Sequence, residues 1–324
     1  MKFINTFCLL ALLTCTGIKA QVFIIERGSD TFAFQNFTDA VAALQDDDKL
    51  FVPPGGHAGD HTINKSVIIY GAGYNNGAES SRLDGLITLA ADGIIITGIR
   101  FNNLMMNAIS NLYMTRCLVS GYTVFQGTGN GNFISECEFV GNFGYSTSPR
   151  PVYCTASKCI FRHPYLYAQS SIFYNCIFLG LGTGNSLNVD NGNFNNNIFM
   201  TTNHIAAPGM SGVTNSTFDS NLWVGNAPSS PENNHNTINA NNIMDELYAN
   251  VFTNPTAGDF SLKSECSGKG AGTDGRDVGI FGTEIPFKES RMPAVPAFTL
   301  KSVAPETDAT GKLNVKFVIE AQER

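Results

Sequence analysis

One four-residue pattern decides the fold: Glu136-Cys137-Glu138-Phe139 is followed by Lys158-Cys159-Ile160-Phe161 and then by Asn175-Cys176-Ile177-Phe178. Further copies flank these three, and the closing residues stand at positions 101, 119, 139, 161, 178, 199 and 223. A spacing of 17 to 24 residues is too short for repeats built from helix pairs, and the leucine-asparagine frame of leucine-rich repeats is absent. The pattern predicts short parallel strands stacked coil upon coil, an all-β right-handed parallel β-helix.

Strand geometry determines the direction in which each side chain points. Side chains alternate along a strand, so the second and fourth residues of each pattern point the same way. The closing residues predict one inward row, and the second position predicts another, formed by Cys117, Cys137, Cys159 and Cys176. Asn197 and Asn221 replace cysteine in later coils and predict an internal ladder of amide hydrogen bonds.

The cysteine row admits two readings. Disulfides are the default in an exported protein, and neighbouring coils about 4.8 Å apart would bring the Cα atoms within bonding range. Side chains in register point side by side, however, which does not favour the bridge geometry. We therefore favour a stack of reduced, buried thiols. No Cys-x-x-Cys spacing or paired histidine supports a metal site.

The third residue of each pattern is predicted to face outward. In the later coils this position holds large aliphatic residues, namely Ile160, Ile177, Ile198 and Leu222. An exposed stripe of this kind is unusual for a soluble monomer. We expect the C-terminal tail strand or a protein partner to cover it, and the alternative is that the register is off by one residue there.

The two ends of the chain differ from its middle. Residues 1–20 read as a signal peptide, with Lys2, a short apolar run and Ala20 before the cleavage site. Residues 21–290 are predicted to form the β-helix, capped by an amphipathic helix that starts near Phe37. Within this range, the segments 258–262 and 277–282 are predicted strand-turn units. Residues 291–324 are a proline-containing tail that ends in a strand at 313–320.

Charge excludes one class of partner. Removing residues 1–20 takes away Lys2 and Lys19 and no acid, so the net charge of −7 becomes −9. A mildly acidic chain without a basic run is a poor candidate for binding nucleic acid. No later stretch is long and apolar enough to span a membrane. We expect a protein that is secreted, periplasmic or on the cell surface.

The coil pattern, the Ile68–Gly73 segment and the Gly258–Leu262 unit together resemble bacterial exported proteins of the pectin-lyase-like superfamily. The resemblance covers most of residues 21–324 and implies the β-helix fold. It indicates function only weakly, because the same fold serves lyases, hydrolases, adhesins and phage tail proteins.

Enzymes of this superfamily imply acidic sites that the sequence supplies poorly. A lyase would hold calcium with several carboxylates, but in the repeats only Glu136 and Glu138 share a strand face. Arg116 and Lys158 stand one coil to each side, so the group reads as an exposed charge ladder. We expect no metal and no cofactor, with calcium as the exception if the protein is lyase-like.

The segment from Arg150 to Tyr167 is the best candidate for ligand binding. Tyr165 and Tyr167 would share a face, with Arg150, Arg162 and His163 nearby in sequence. Aromatic rings stack on sugar rings, and arginine can pair with a uronate. The structural alternative is ordinary packing with both tyrosines turned inward.

The sequence therefore favours a non-catalytic exported protein that binds polysaccharide. The alternatives are a polysaccharide lyase or glycoside hydrolase acting on acidic polysaccharide, and an adhesin or structural spacer. A carboxylate cluster in a lateral groove would favour the enzyme, and an uncharged groove with stacked tyrosines would favour binding. An uncovered apolar stripe would favour the adhesin or spacer.

Overall fold

A computed structural model describes residues 22–74, 80–144, 150–162, 165–181, 187–201, 212–224, 235–289, 291–292, 297–307 and 313–320. The predicted signal peptide and His163 lie outside the described residues. Thirty strands and two α-helices occur in the described parts of the chain. None of these helices has the length and apolar character needed to cross a bilayer.

The helices are α1 (Phe37–Ala43) and α2 (Tyr248–Val251), and Pro255–Ala257 forms a 3-10 turn. The strands are β1 (Phe23–Arg27), β2 (Asp30–Phe34), β3 (Lys49–Phe51), β4 (Gly55–His57), β5 (His61–Ile63), β6 (Ile68–Tyr70), β7 (Ser81–Leu89), β8 (Ile95–Thr97), β9 (Ile99–Asn107), β10 (Tyr113–Thr115), β11 (Leu118–Val119), β12 (Thr123–Gln126), β13 (Phe133–Ser135), β14 (Glu138–Phe139), β15 (Thr155–Ser157), β16 (Ile160–Phe161), β17 (Leu166–Gln169), β18 (Ile172–Tyr174), β19 (Ile177–Leu181), β20 (Leu187–Asp190), β21 (Asn193–Asn195), β22 (Ile198–Thr201), β23 (Thr217–Asp219), β24 (Leu222–Val224), β25 (Thr237–Ile238), β26 (Ile243–Glu246), β27 (Phe252–Asn254), β28 (Asp259–Leu262), β29 (Ala297–Thr307) and β30 (Leu313–Glu320).

These strands form a parallel β-helix of about eight turns, so the predicted fold class is confirmed. The first sheet has the order β2-β1-β3-β6-β8-β10-β13-β15-β18-β21-β23-β25. The second sheet contains β26-β24-β22-β19-β16-β14-β11-β9-β7-β4, and in addition β12 pairs with β9 and β5 pairs with β7. Only the N-terminal β1–β2 hairpin and the β1–β3 pair are antiparallel in these two sheets.

The predicted inward file of closing residues is confirmed. The rings of Phe139, Phe161 and Phe178 stack on one another, with centroids 5.3 and 5.0 Å apart and interplanar angles of 12° and 6°. The file continues through Phe199 to Trp223. A second file from the first sheet meets it edge to face and consists of Phe173, Phe194 and Phe218. Aromatic rings therefore fill most of the interior of the later coils.

The row of cysteines and asparagines also lies inside, as predicted. All six cysteines in the described chain are buried and free, in agreement with the favoured thiol stack. Asn197 Nδ2 donates to Asn221 Oδ1 at 3.0 Å, and Asn221 Nδ2 donates to Asn242 Oδ1 at 2.9 Å. The amide ladder is confirmed, and Asn242 extends it by one coil beyond the sequence prediction.

One row of residues makes the sharp corner between the two sheets in successive coils. We call it the turn row; its members have φ between 50° and 73° and are Gly98, Arg116, Glu136, Lys158, Asn175, Asn196 and Ser220. This left-handed region disfavours side chains with a Cβ, although asparagine tolerates it better. Arginine, glutamate and lysine at such corners indicate that their side chains have another role.

A segment near the C-terminus lies across the turn row. We call residues 268–289 and 291–292 the strap. The strap runs antiparallel to the order of the coils, so its later residues contact earlier coils. Asn196 Nδ2 donates to Thr273 Oγ1, and Asn175 Nδ2 donates to Gly279 O. Further along the strap, Ile285 O accepts from Lys158 at 2.9 Å, and Met292 O accepts from Arg116 at 3.0 Å.

The strap and the residues before it bury the aliphatic stripe. The stripe lies in the predicted register, because Ile160, Ile177, Ile198 and Leu222 are consecutive parallel partners. Each is at most 1% exposed. Their cover includes Val251, Phe252, Phe260, Leu262, Cys266, Val278, Ile280 and Phe287. The expectation that the tail of residues 291–324 or a partner covers the stripe is therefore wrong: residues between Val251 and Phe287 of the same chain cover it.

The ends of the chain differ in detail from the sequence prediction. The capping helix α1 is present, and the Asn36 side chain accepts from the Asp39 N–H at its N-terminus. The strand in 258–262 is confirmed as β28, whereas residues 277–282 form turns without a strand. The terminal strand β30 is confirmed and pairs antiparallel with β29.

Candidate functional site

The candidate tyrosines lie on a third face of the coil. This third face consists of β5, β12, β17, β20 and the C-terminal halves of β7 and β9. Single bridges through Phe143 connect β12 to β17. Successive coils each contribute a strand to this face. Residues that point outward from it therefore recur once per coil, about 4.8 Å apart.

Tyr165 and Tyr167 point outward from this face. Leu166 and Ala168, which alternate with them, are fully buried. Tyr165 is 37% exposed and Tyr167 is half-buried. The predicted shared face is therefore present, and the alternative of inward tyrosines is wrong. The two rings are presented from one short strand whose neighbours hold it in register.

Arg150 stands beside the tyrosines. Its guanidinium carbon lies 6.0 Å from the centroid of the Tyr167 ring, a cation–π contact that is worth little at a partly exposed position. Arg150 is half-buried. The contact orients the guanidinium group along the aromatic surface, where it can still donate hydrogen bonds to a ligand.

Asp190 completes the polar part of this surface, and sequence reasoning missed it as a site residue. It is the direct strand partner of Gln169, while Asn188 is the partner of Tyr167. Asp190 Oδ1 accepts from Thr214 Oγ1 and from Asn215 Nδ2, both at 2.8 Å. Hydrogen bonds from Asn215 and Thr214 lower the pKa of Asp190, and the positive charge of Arg150 adds to this effect. The residue is thus an ionised acceptor at neutral pH.

Alignment of successive coils could have placed Asp190 on this face from the sequence. The segment 190–193 reads as a polar turn by itself, and Asn191 does adopt a left-handed turn conformation with φ of 54°. Aligning the coils, however, places Asp190 one repeat beyond Gln169. The surface that can contact a sugar is therefore Tyr165, Tyr167, Arg150, Asn188 and Asp190, which we call the tyrosine surface.

Arg162 does not join the tyrosine surface. Its Nε donates to Glu138 Oε1, and its guanidinium carbon lies 5.7 Å from the Phe260 ring centroid. It packs against the segment that covers the aliphatic stripe. Of the five residues predicted from sequence, the structure brings Arg150, Tyr165 and Tyr167 together, places Arg162 elsewhere, and does not describe His163.

Glu136 is paired with two cations. Glu136 Oε2 lies 2.9 Å from Arg116 Nε, and Glu136 Oε1 lies 3.0 Å from Lys158 Nζ. The three side chains are 7 to 11% exposed. The sequence prediction of an exposed charge ladder is wrong, because the strap lies over the turn row and removes these groups from water.

The buried carboxylate of Glu138 forms ion pairs with two arginines. Arg162 pairs with its Oε1, and Arg291 Nη1 lies 3.2 Å from its Oε2. Arg291 also lies 5.4 Å over the ring of Tyr74, whose burial raises the pKa of its phenol well above the usual value. Neither glutamate is placed to exchange protons with a bound ligand, since each carboxylate contacts two cations beneath the strap.

Metal ligation finds no support in the described residues. Those residues contain no group of three or more histidine, cysteine, aspartate or glutamate side chains arranged to hold an ion. Comparison with known protein families gives no match to this chain, and comparison with curated proteins finds no similar sequence.

Proposed function

We propose that this chain is an exported β-helix protein that binds carbohydrate without cleaving it, using the tyrosine surface. The outward orientation of Tyr165 and Tyr167 is the observation that carries the proposal. Sugar rings present C–H groups that pack on aromatic rings, while their hydroxyls need acceptors and donors at the edge. Asp190 is the acceptor and Arg150 is the donor at this edge.

We also propose that the protein is bacterial and acts outside the cytoplasm. The resemblance to bacterial pectin-lyase-like exported proteins supports secretion, a periplasmic position or attachment to the cell surface. The coil offers ligand-facing positions at regular intervals, which suits a polymer better than a single small molecule. A polysaccharide is therefore the proposed class of ligand, and no cofactor is needed for binding.

The enzyme reading remains the second candidate, and the buried ion pairs argue against it. A lyase or hydrolase acting on acidic polysaccharide needs carboxylates or bases that reach the substrate. Glu136 and Glu138 are held by cations under the strap. The adhesin or spacer reading loses its support, because the aliphatic stripe is covered by the chain itself.

A glycan array combined with lyase and hydrolase assays tests the proposal. The full mature chain is applied to neutral and acidic glycans, and the same acidic polysaccharides are incubated with it and examined for new unsaturated or reducing ends. We expect binding without new ends. Cleavage by the unaided protein would overturn the non-catalytic proposal, and absence of binding to every glycan would overturn the carbohydrate proposal.

A further inference from the structure

A file of outward side chains crosses the third face and includes Tyr165 of the tyrosine surface. Phe143 N donates to Tyr165 O at 2.9 Å, and one coil earlier Thr123 N donates to Asn142 O at 2.8 Å. Thr123 and Phe143 are also parallel partners. Because of this register, three residues occupy equivalent positions in successive coils, namely Tyr122, Asn142 and Tyr165.

The side chains of this file point away from the core. Side chains alternate along a strand, and each member of the file is followed by a fully buried residue. Those buried residues are Thr123, Phe143 and Leu166. Tyr122 and Asn142 are half-buried, and Tyr165 is 37% exposed. Two coils separate the backbones of the two tyrosines, a distance of about 9.6 Å at the usual strand spacing.

Hydrogen bonds to the preceding coil hold the backbone of Tyr122 in place. Its N–H donates to Asn103 Oδ1 at 3.1 Å, and its carbonyl oxygen accepts from Leu104 N at 3.0 Å. A backbone held on both sides gives the ring a fixed base, which lowers the entropic cost of ordering the ring against a ligand. Tyr122 is therefore positioned at the start of β12 as Tyr165 is at the start of β17.

The charges of the tyrosine surface balance one another. Arg150 is close enough to Asp190 for its positive charge to lower the pKa of that carboxyl group, so each charge offsets the other. The file from Tyr122 to Tyr165 adds two phenols and one amide but no charge. Because binding surfaces match the charge of their ligands, this surface suits an uncharged polymer better than a chain of uronates.

We propose that Tyr122 is a further ligand-contacting residue and that the ligand is an extended β-1,4-linked glucan whose axis runs along the coil, across the strands. In such a chain each ring is turned over relative to the last, so the same face recurs at every second ring, after about two strand spacings. The ring between the two tyrosines then lies over Asn142, whose amide has both donors and an acceptor for its hydroxyls. This inference rests on the proposed carbohydrate binding and extends its site by two coils.

The length and linkage of oligosaccharides test the ligand class. Calorimetric titrations of the full mature chain use cellobiose, cellohexaose and maltohexaose, the curled α-1,4-linked isomer of cellohexaose. We expect cellohexaose to bind at least about fivefold more tightly than either, because it alone can contact Tyr122 and Tyr165 together. Equal affinities for cellohexaose and maltohexaose, or no binding of cellohexaose by a protein that binds another glycan, would overturn the glucan assignment. Failure to bind any glycan of the array would instead overturn the proposed function.

Substitutions at Tyr122 test the direction of the polymer. Tyr122→Ala should weaken cellohexaose binding about fivefold and leave binding of cellobiose, which fits on the tyrosine surface alone, unchanged. Tyr122→Phe keeps the ring and should stay within about twofold of wild type. Wild-type affinity for cellohexaose in Tyr122→Ala would show that the polymer follows the strand past Tyr165 and Tyr167 instead. Equal loss of cellobiose binding would show that Tyr122 supports the fold and not the ligand.

Tyr113→Ala is the matched control for these substitutions. Tyr113 belongs to the same coil as Tyr122, but it lies on β10 of the first sheet, where it is 46% exposed. The control should bind cellohexaose within about twofold of wild type, because surface substitutions away from a site have small effects. A loss as large as that in Tyr122→Ala would contradict a specific role for the third face.

Discussion

Lys158 Nζ lies 3.0 Å from Glu136 Oε1, and the two side chains are 11% and 9% exposed. These residues occupy successive corners of the coil in a left-handed backbone conformation. The same lysine donates to Ile285 O of the strap. One ion pair therefore connects neighbouring coils to each other and to the segment that covers them.

Removing the charge of Glu136 should strongly destabilise the protein. Glu136→Gln leaves Arg116 and Lys158 buried without a counter-charge, a situation that typically costs about 3–5 kcal/mol. Denaturant unfolding at neutral pH measures the change. Asp274→Asn, which breaks an exposed ion pair with Arg276, is the control and should cost at most about 1 kcal/mol. Similar losses in both variants would show that the buried ion pair contributes no more to the free energy of unfolding than the exposed one.

The amide ladder should be intolerant of truncation. Asn221→Ala removes the acceptor for both the backbone N–H and the side-chain amide of Asn197, which is fully buried. Buried donors left without partners cost about 1–3 kcal/mol each. We expect a loss of at least about 2 kcal/mol in unfolding free energy. Asn241→Ala, at an exposed neighbouring position, should change it by less than about 0.5 kcal/mol.

Stability should fall in alkaline solution because of the buried thiols. Burial raises the pKa of Cys154 to about 12 and raises those of Cys137 and Cys176 well above the usual value of 9.0. Above pH 9 the unfolded chain loses thiol protons that the folded chain keeps, so this contribution is complete below about pH 9 and declines above it. Each such thiol adds a slope of up to about 1.4 kcal/mol per pH unit.

Denaturant unfolding under reducing conditions at pH 7.5 and pH 10 measures this slope. Cys154→Ala is expected to be less stable than wild type at both pH values, yet to lose less stability between them. An unchanged difference between the two pH values in the variant would mean that Cys154 does not titrate as its burial predicts.

The strap should depend on a glycine. A Cβ on Gly282 would lie 1.5 Å from the backbone oxygen of Asp277, so the turn cannot accept alanine without moving. Gly282→Ala should speed hydrogen exchange throughout residues 268–289, because local opening becomes easier. Glu284→Ala, at an exposed position of the strap with no left-handed backbone conformation, is the control. Equal exchange in the two variants would contradict the steric explanation.

Carbohydrate binding should depend on both outward tyrosines. Replacing Tyr165 and Tyr167 together by alanine removes two ring contacts, each worth about 0.5–1.5 kcal/mol, and should weaken binding at least about tenfold. The measurement is a titration with the best ligand from the glycan array. Tyr248→Ala removes a ring that is 52% exposed in α2, away from this surface, and should have no effect. A matching loss in that control would indicate non-specific binding.

The coil could be predicted because its information is local and repeated. The alternation of side chains in each pattern determines which residues face inward, and seven copies fix the register from Arg100 to Leu222. The strap could not be predicted in the same way. Many of its contacts use backbone oxygens, such as Ile285 O and Met292 O, and a carbonyl group leaves no signature in the sequence.

The candidate site was predictable only where side-chain alternation decided the outcome. Tyr165 and Tyr167 follow the period of two, so their shared face was apparent. Arg162 was misplaced because its partner, Glu138, lies on another coil and its ring contact, Phe260, lies 98 positions further along the chain. Residues that are close in sequence, such as Arg162 and Tyr165, therefore need not lie on the same face of the coil.

The strap also constrains the order in which the molecule can be made. Ile160 is synthesised more than a hundred residues before Val278 and Ile280, which later shelter it. Throughout that interval the aliphatic stripe of the growing coil is exposed to solvent, and exposed apolar surface promotes aggregation. A holdase that shields the nascent chain would meet this need, because the stripe becomes covered only when the final quarter of the polypeptide folds back over it.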